Sequence, residues 1–420
     1  MLLASLKAGG GHHALRDSFD AALQIADPQQ TRFERVVWDS HHMGLDKFYA
    51  WCVHNFTPIQ GAIYSLSESR LAVEIATRLS APLYAEVEAM LRTQSFDTVV
   101  SSHLLLSMMF AKAKRQLGAP TEVIGAIPDY GIPSKAFVPQ NPLHRPDRLI
   151  VMAEDTYAHL VKSRGVPMQD IELSGFLPRT PFRGLADRLR AAGGRTALRA
   201  TLLRELEQEH PDLARVNPAR PTLLFLGGSA WTEKTRPVLE SLLALPEFAS
   251  KLNVVVVCGN NPKFAEALTA LTAPYRNFSV LGFVSGESMA RIMAVADFPV
   301  LGSLAPATMQ ELFEVGCGPL MLFHFIPGTE PPHVDYIHNT GVGLYEPDAE
   351  KMVRLLMQLS GHAPMPEGLR ALAAGFADRA ASIRSASRAR ALALGEFLEG
   401  AAQNFPTAPQ PPPALHPVSV

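Results

Sequence analysis

Residues 1–13 read MLLASLKAGGGHH, in which an apolar run, Met1–Leu6, leads into three consecutive glycines and two histidines. The next segment, Ala14–Leu23, has the apolar periodicity of a helix. A glycine turn between a strand and a helix leaves backbone N–H groups unpaired at the positive end of the helix, and a phosphate is the ligand that suits them. Such a turn is common in proteins, so it gains weight from the similar turns that follow residue 220.

Short apolar runs alternate with helical segments along both halves of the chain. The runs predicted as strands are Met1–Leu6, Arg35–Trp38, Thr98–Ser101, Val123–Ile127, Leu149–Ala153 and Ile171–Leu173, then Thr222–Leu226, Asn253–Cys258, Ser279–Leu281, Phe298–Leu301, Leu320–Phe323 and Val342–Tyr345. Among the predicted helices are Leu83–Leu91, Leu105–Leu117 and Pro262–Leu271. This alternation predicts an α/β protein with two Rossmann-like, doubly wound parallel sheets and a cleft between them.

The chain has 420 residues, which is more than one hydrophobic core usually supports. We therefore expect an N-terminal domain at 1–183, a helical linker region rich in Arg, Ala and Leu at 184–219, and a C-terminal domain at 220–400. The final helices of the C-terminal domain are expected to return toward the first domain. The proline-rich residues 401–420 are predicted to be a disordered tail.

Composition excludes several classes of protein. A formal net charge of -2 argues against a nucleic-acid partner, which would favour a basic surplus. The three cysteines, Cys52, Cys258 and Cys317, are too widely spaced for a disulfide scaffold or a zinc site, so a reducing, cytosolic setting is expected. We find neither a secretory signal nor an apolar stretch of about 18 residues, so no membrane span is expected.

Small-residue turns follow the predicted strands of the second half. They contain Gly227, Gly228 and Ser229; Gly259, Asn260 and Asn261; Gly282, Phe283 and Val284; Pro306, Ala307 and Thr308; and Gly328, Thr329 and Glu330. Because the carboxyl ends of parallel strands meet at one edge of a sheet, these turns should converge there. Their N–H groups could hold a diphosphate without a metal. The carboxylates of Glu311 and Glu330 could accept hydrogen bonds from sugar hydroxyls, so a nucleotide sugar fits the site.

Eight motifs in order carry a resemblance to a known family. They are Gly9–His12, the aromatic stretch Phe48–Tyr64, Asp97–Leu105, Pro128-Asp129, Gly175–Phe182, Val255–Asn261, Ala305–Glu311 and Ile326–Glu330. Together they resemble the monogalactosyldiacylglycerol synthases and processive diacylglycerol glucosyltransferases, relatives of the MurG-type glycosyltransferases. The resemblance extends over about residues 1–390. It implies a GT-B fold and an inverting transfer of a hexose from a UDP-sugar to a lipid acceptor such as diacylglycerol.

The resemblance also implies roles for residues of the second domain. Gly282, Phe283 and Val284 would hold the uracil through backbone groups, and Glu311 would accept from the ribose hydroxyls. Ala307 and Thr308 would lie at the diphosphate, opposite Gly9, Gly10 and Gly11 of the other domain. Thr329 and Glu330 would face the transferred sugar. The UDP-sugar is a donor substrate in this scheme, and neither a cofactor nor a metal is expected.

On the first domain, the resemblance implies the acceptor site and contact with the membrane surface. The reaction needs a base for the acceptor hydroxyl. Asp129 is the first candidate, and His12 is the second because an imidazole titrates near neutral pH. His103, Tyr130 and Arg179 are expected on the acceptor side. The enzyme would be peripheral at the cytoplasmic face of the membrane.

Three departures from the family pattern leave alternatives open. Pro133 and Ser134 stand where a histidine is usual after the aspartate, and Thr329 replaces a glutamine. Ala305 and Ala307 replace two glycines, which matters if either position needs a positive φ. The alternatives are another donor such as UDP-N-acetylglucosamine, or a nucleotide-sugar-binding homologue without activity. The sequence leaves the sugar, the lipid, processivity and the oligomeric state open.

Overall fold

A computed structural model provides the coordinates of the chain. It describes residues 1–6, 10–27, 36–40, 69, 74–75, 77–78, 80–227, 232–245, 251–328 and 330–403. The aromatic stretch Phe48–Tyr64, one of the eight motifs, lies outside the described residues. So do Gly9, Gly228, Ser229, Thr329 and residues 404–420 of the predicted tail.

Twelve described strands form two sheets. They are β1 (Leu2–Leu6), β2 (Val36–Ser40), β3 (Thr98–Ser101), β4 (Glu122–Ile127), β5 (Arg148–Val151), β6 (Ile171–Leu173), β7 (Thr222–Leu226), β8 (Asn253–Val257), β9 (Phe278–Leu281), β10 (Phe298–Leu301), β11 (Leu320–Leu322) and β12 (Gly343–Tyr345). The strand orders are β2-β1-β3-β4-β5-β6 and β12-β11-β10-β7-β8-β9. Every pairing is parallel. The predicted fold class, two doubly wound α/β sheets, is confirmed.

The described α-helices cover the faces of the sheets. They are α1 (Gly10–Ala26), α2 (Ala81–Thr93), α3 (Leu104–Leu117), α4 (Glu154–Arg164), α5 (Thr180–Ala191), α6 (Arg195–Glu209), α7 (Arg236–Leu243), α8 (Pro262–Thr272), α9 (Gly286–Val295), α10 (Pro306–Glu314), α11 (Pro331–Thr340), α12 (Ala349–Leu359) and α13 (Glu367–Gln403). Helix α1 begins at Gly10, four residues before the predicted start. Gly10 and Gly11 therefore form its first turn and do not belong to a loop that precedes it.

Each sheet has a point at which the strand order reverses. In the first sheet, β1 lies between β2 and β3, and in the second sheet β7 lies between β10 and β8. Successive connections leave opposite faces of the sheet at such a point, so a crevice opens at the carboxyl ends of the two central strands. The crevices are thus expected after β1 and β3, and after β7 and β10. Gly10 and Gly227 follow β1 and β7, at these two crevices.

The long helix α13 ties the second half of the chain to the first. It packs along α1, and the Ser387 hydroxyl both accepts from the Phe176 N–H at 2.8 Å and donates to the Phe176 carbonyl at 3.1 Å. A Cβ on Gly175 would lie 1.7 Å from the Ser387 carbonyl oxygen, so the close approach needs glycine. The helix continues to Gln403, past the predicted domain end at 400. The predicted boundary at 183 falls within α5, which packs on α9 and α10 of the second half.

Within the described part of the chain, none of the helices is both long enough and apolar enough to cross a bilayer.

Candidate functional site

Two histidines meet in the crevice of the first sheet. His12 lies in the first turn of α1, and its Nδ1 donates a hydrogen bond to the Ser102 carbonyl after β3 at 2.5 Å. His103 precedes α3, and its ring centre is 4.7 Å from that of His12. Since the His12 proton is on Nδ1, the Nε2 lone pair of the neutral ring is available to a ligand.

Burial keeps both imidazoles neutral. It lowers the pKa of His12, against the attraction of the Asp129 carboxylate, which raises it. Burial lowers the pKa of His103 well below its usual value, and the neighbouring His12 adds to the effect. The Nδ1 atom of His103 is buried without a hydrogen-bond partner among the described residues. An unpaired buried nitrogen has lost its hydration without a replacement, which is costly.

We predict that His103 makes the folded chain sensitive to acid. Because its pKa is lowered on folding, the unfolded chain binds the extra proton below about pH 6.5, and stability falls as the pH drops from there toward the lower folded pKa. Chemical denaturation of wild type and His103→Asn at pH 7.5 and pH 5.5 measures this. The wild type should lose more free energy of unfolding than the variant, and equal losses would contradict the prediction.

Asp129 stands at the end of β4 and faces the second domain. Its side chain is 38% exposed, while the next residue, Tyr130, is buried. The Tyr130 hydroxyl accepts from the Gln310 amide of α10 at 3.2 Å, and its ring lies 4.5 Å from that of Tyr336 on α11. Tyr130, predicted on the acceptor side, is thus placed between the two domains.

The loop after β4 fits closely on the start of α11. Gly131 has φ +77, and a Cβ there would be 2.3 Å from the Cβ of Pro332. Both facts require glycine at this position. The loop therefore carries Asp129 to the domain interface with little freedom to move.

His333 is a residue that the sequence analysis missed. It is buried in the first turn of α11. Its Nδ1 donates to the Leu304 carbonyl at 2.7 Å, and its Nε2 is 3.7 Å from Oδ1 of Asp129. It stands three residues after Glu330, so extending the last motif by one turn of helix would have included it.

The second crevice is lined by small residues. A Cβ on Gly302, which follows β10, would lie 3.5 Å from the Cα of Gly227, which follows β7. Helix α10 begins at Pro306, and its preceding residue, Ala305, has φ -80 and ψ 138. Ala307 is helical, so neither alanine occupies a position that needs a positive φ. The N-terminus of α10, with Thr308 in its first turn, presents backbone N–H groups suited to a diphosphate.

Glu311 lies in the second turn of α10, not at the start of a helix. Arg179 donates two hydrogen bonds to it, from Nε to Oε1 at 2.5 Å and from Nη2 to Oε2 at 3.0 Å. Burial raises the pKa of Glu311, and the Arg179 guanidinium opposes that shift. Arg179, predicted on the acceptor-substrate side, thus contacts Glu311, which is predicted to accept hydrogen bonds from the ribose. Both roles stay predictions, and a ribose at Glu311 would have to share it with Arg179 or displace Arg179.

Glu330 is buried, and both of its carboxylate oxygens accept hydrogen bonds from other groups of the protein. Oε1 accepts from the Ser303 hydroxyl at 2.6 Å and from the Leu304 N–H at 3.2 Å. Oε2 accepts from the Ile326 N–H at 2.7 Å. These bonds join the turn after β11 to the turn after β10. The predicted contact of Glu330 with the transferred sugar stays a prediction, and the structure gives the carboxylate an anchoring role.

The remaining predicted donor residues lie at the ends of β8, β9 and β11. Gly259 and Gly328 both have positive φ, and Asn260 follows Gly259. Asn261 caps α8 by accepting from the Phe264 N–H at 3.1 Å. After β9, Gly282 is followed by Phe283, which is 73% exposed, and by the buried Val284. An exposed phenylalanine beside glycine backbone is a suitable surface for a planar base.

Curated proteins with similar sequences match part of the chain. The chain is 28% identical over 153 residues to a probable monogalactosyldiacylglycerol synthase 3 of Oryza sativa subsp. japonica (35% of this chain, 28% of the relative). It is 31% identical over 164 residues to monogalactosyldiacylglycerol synthase 2 of Arabidopsis thaliana (37% and 31%). It is 24% identical over 147 residues to a processive diacylglycerol β-glucosyltransferase of Staphylococcus carnosus (34% and 36%). The matched segment thus spans about a third of each relative's length, and no protein-family model matches the chain.

Solved structures are similar over nearly the whole chain. A glycotransferase of kitacinnamycin superimposes with a TM-score of 0.59 at 14% identity, covering 96% of this chain and 98% of that one. A UDP-GlcNAc 2-epimerase from Neisseria meningitidis, bound to UDP-GlcNAc, superimposes with a TM-score of 0.60 at 13% identity, covering 95% and 100%. The chain therefore has the GT-B fold, and its local similarity to monogalactosyldiacylglycerol synthases and a processive diacylglycerol β-glucosyltransferase confirms the resemblance that its motifs indicate.

Proposed function

We propose that the chain is an inverting glycosyltransferase that moves a hexose from a UDP-sugar to the hydroxyl of a membrane lipid such as diacylglycerol. One observation carries the proposal. Asp129, which follows β4 of the first domain, exerts its charge on His12 of the same domain, and its Oδ1 lies 3.7 Å from Nε2 of His333 of the second domain. A carboxylate between two nucleotide-fold sheets is where an acceptor hydroxyl and an anomeric carbon would meet.

In the proposed reaction, the acceptor oxygen attacks the anomeric carbon from the face opposite the diphosphate. The bond from that carbon to the diphosphate oxygen breaks, and UDP leaves with its electron pair. Asp129 takes the hydroxyl proton. The N-terminus of α10 stabilises the negative charge that grows on the diphosphate. The His12 imidazole is half-buried, and its lowered pKa keeps it neutral. Its Nε2 can accept a hydrogen bond from the acceptor hydroxyl.

The names of the similar proteins support the lipid acceptor. Both plant relatives and the Staphylococcus carnosus relative are named for diacylglycerol products. A lipid acceptor requires the first domain to reach a bilayer surface, so we extend the proposal to peripheral attachment at the cytoplasmic face of a membrane. Among the solved structures, a spinosyn rhamnosyltransferase complexed with thymidine diphosphate superimposes with a TM-score of 0.58 at 13% identity. Its bound thymidine diphosphate supports a nucleoside diphosphate as the leaving group.

A donor panel tests the proposal. Purified protein is mixed with UDP-glucose, UDP-galactose or UDP-N-acetylglucosamine and vesicles of a total lipid extract, and mass spectrometry reads the products. We expect one lipid to gain the mass of one sugar, with an equal amount of UDP released. Thermal stabilisation by a UDP-sugar without turnover on any lipid would instead support a nucleotide-sugar-binding homologue. Conversion of the UDP-sugar without a lipid product would refute transfer.

A further inference from the structure

A buried imidazole of the second domain contacts the loop that carries the proposed base. His333 belongs to α11, whereas Asp129, Tyr130 and Gly131 follow β4 of the first sheet. The His333 side chain is 3% exposed. Histidine is seldom so deeply buried unless its ring nitrogens have partners, and both ring nitrogens of His333 have them.

The partners of the ring define its protonation pattern. The Leu304 carbonyl can only accept, so the Nδ1 of His333, 2.7 Å away, carries a proton. The Tyr130 N–H lies 3.3 Å from Nε2 and donates to it. The neutral ring with its proton on Nδ1 satisfies both partners at once. The ring therefore connects the turn after β10 in one domain to the backbone of the β4 loop in the other.

The same ring borders the Asp129 carboxylate without neutralising it. Nε2 is 3.7 Å from Oδ1, too far for a hydrogen bond, and in the neutral ring it has no proton to offer. Asp129 thus keeps its lone pairs for the acceptor hydroxyl. A protonated ring would instead pair with the carboxylate and weaken it as a base. Glu330, at the start of the same helix, also interacts electrostatically with this ring.

From this geometry we infer that His333 is a positioning residue, which holds the Tyr130 backbone and thereby aims the Asp129 carboxylate when the sugar-binding domain is in place. The inference rests on the proposed function, in which Asp129 takes the proton. It fits the departure at Pro133 and Ser134, because this chain places an imidazole beside the aspartate from the opposite domain. Base alignment and domain arrangement are then coupled, since Tyr130 N–H and Leu304 carbonyl belong to different domains.

Two variants separate the two bonds of the ring. In His333→Asn the amide nitrogen can still donate to the Leu304 carbonyl, but nothing reaches the Tyr130 N–H. In His333→Gln the longer side chain brings its carbonyl oxygen to the former Nε2 position, where it can accept from Tyr130. His338→Gln is the matched control, because His338 lies on the same helix and its Nε2 accepts from the Tyr345 N–H at 3.1 Å within its own domain.

We expect His333→Asn to lower kcat about 10- to 100-fold, the size of effect that a misplaced catalytic group has, with the KM for the UDP-sugar nearly unchanged. His333→Gln should recover most of that loss, and His338→Gln should keep the wild-type kcat. A merely structural role would lower thermal stability and affect both His333 variants alike. Equal kcat values for the Asn and Gln variants, whether normal or low, would therefore overturn the inference.

Hydrogen exchange separates this inference from the proposed function. If the wild type turns over no donor, the proposed function fails, yet amide exchange in a peptide covering residues 128–134 still reports the contact. Protection of the Tyr130 amide in the wild type and His333→Gln, with faster exchange in His333→Asn, would support the positioning role of His333. The same exchange rate in all three proteins would refute it.

Discussion

Asp129→Asn is expected to lower kcat about 10³-fold, within the range that a general base contributes. Asparagine keeps the size and hydrogen-bonding reach of aspartate, but its amide cannot take up a proton near neutral pH. The backbone of the loop is held by Gly131 on Pro332 and by the Tyr130 N–H on His333, so the substitution should leave its path unchanged. UDP release in the presence of lipid vesicles measures the rate.

The control for this variant is Asp155→Asn. Asp155 follows the neighbouring strand β5, and its carboxylate accepts from the Thr156 N–H at 2.8 Å, a bond that the side-chain oxygen of asparagine can also accept. It should keep kcat and KM close to those of wild type. The affinity for UDP should be the same in both variants, because the proposed function assigns Asp129 to the acceptor hydroxyl and not to the nucleotide.

His12→Gln separates the two candidate bases. His12 is half-buried, and the loss of hydration lowers its pKa, so it is a weaker base than an ordinary imidazole. If Asp129 is the base, His12→Gln should cost less activity than Asp129→Asn. The reverse order, with Asp129→Asn retaining more than about a tenth of wild-type kcat, would transfer the role to His12 and contradict our assignment.

The strands were predictable because their signal is local. Runs such as Thr222–Leu226 and Asn253–Val257 are buried on both faces of a parallel sheet, so they consist almost entirely of apolar residues and differ sharply from the amphipathic helices beside them. The small-residue turns of the second half, such as the one at Gly227, were predictable for a similar reason, because they interrupt the apolar runs that precede them. The meeting of these turns at one crevice follows from the parallel order of the strands.

The pairing of side chains across the domains was not predictable. Tyr130 and His333 are 203 positions apart, and Arg179 and Glu311 are 132 apart. Periodicity states which face of a helix is buried, but it does not state which distant residue the face will meet. Resemblance assigned Glu311 and Glu330 to a ligand, and only the coordinates show that protein groups already satisfy all four of their carboxylate oxygens.

The same limit explains the missed start of α1. Glycine has a low helix propensity, so the sequence predicts a turn at Gly10 and Gly11. In the structure they are helical, and α1 packs on α13 and on β1. Tertiary packing of this kind outweighs the propensity of two residues. The helix therefore extends toward the crevice, and His12 enters it from the first turn.

Glu330→Ala is expected to reduce the free energy of unfolding by about 3 kcal/mol, because three hydrogen-bond donors would lose their acceptor in a buried site. Those donors are the Ser303 hydroxyl and the N–H groups of Leu304 and Ile326. Ser303→Ala removes one donor and leaves the other two paired, so it should cost about 1 kcal/mol. Chemical denaturation measures the three proteins under the same conditions.

Two further variants make the measurement specific. Glu330→Gln presents an amide nitrogen to one of the donors in place of an acceptor, so it should also destabilise the chain, although it keeps the size of the side chain. Glu350→Gln removes the same charge from a side chain that is 80% exposed, and it should change the stability by less than about 0.5 kcal/mol. A loss in the first variant without one in the second assigns the effect to the buried bonds and not to net charge.

The same variants decide between anchoring and sugar contact for Glu330. If the carboxylate mainly joins the turns after β10 and β11, its loss disturbs the turns that line the second crevice. Glu330→Ala should then weaken the binding of UDP and of the UDP-sugar alike. If it mainly binds the sugar, stability and UDP affinity should match those of wild type, and only the UDP-sugar should bind more weakly. Calorimetric titration with both ligands distinguishes the two results. We expect parallel losses, because both carboxylate oxygens already have donors within 3.2 Å.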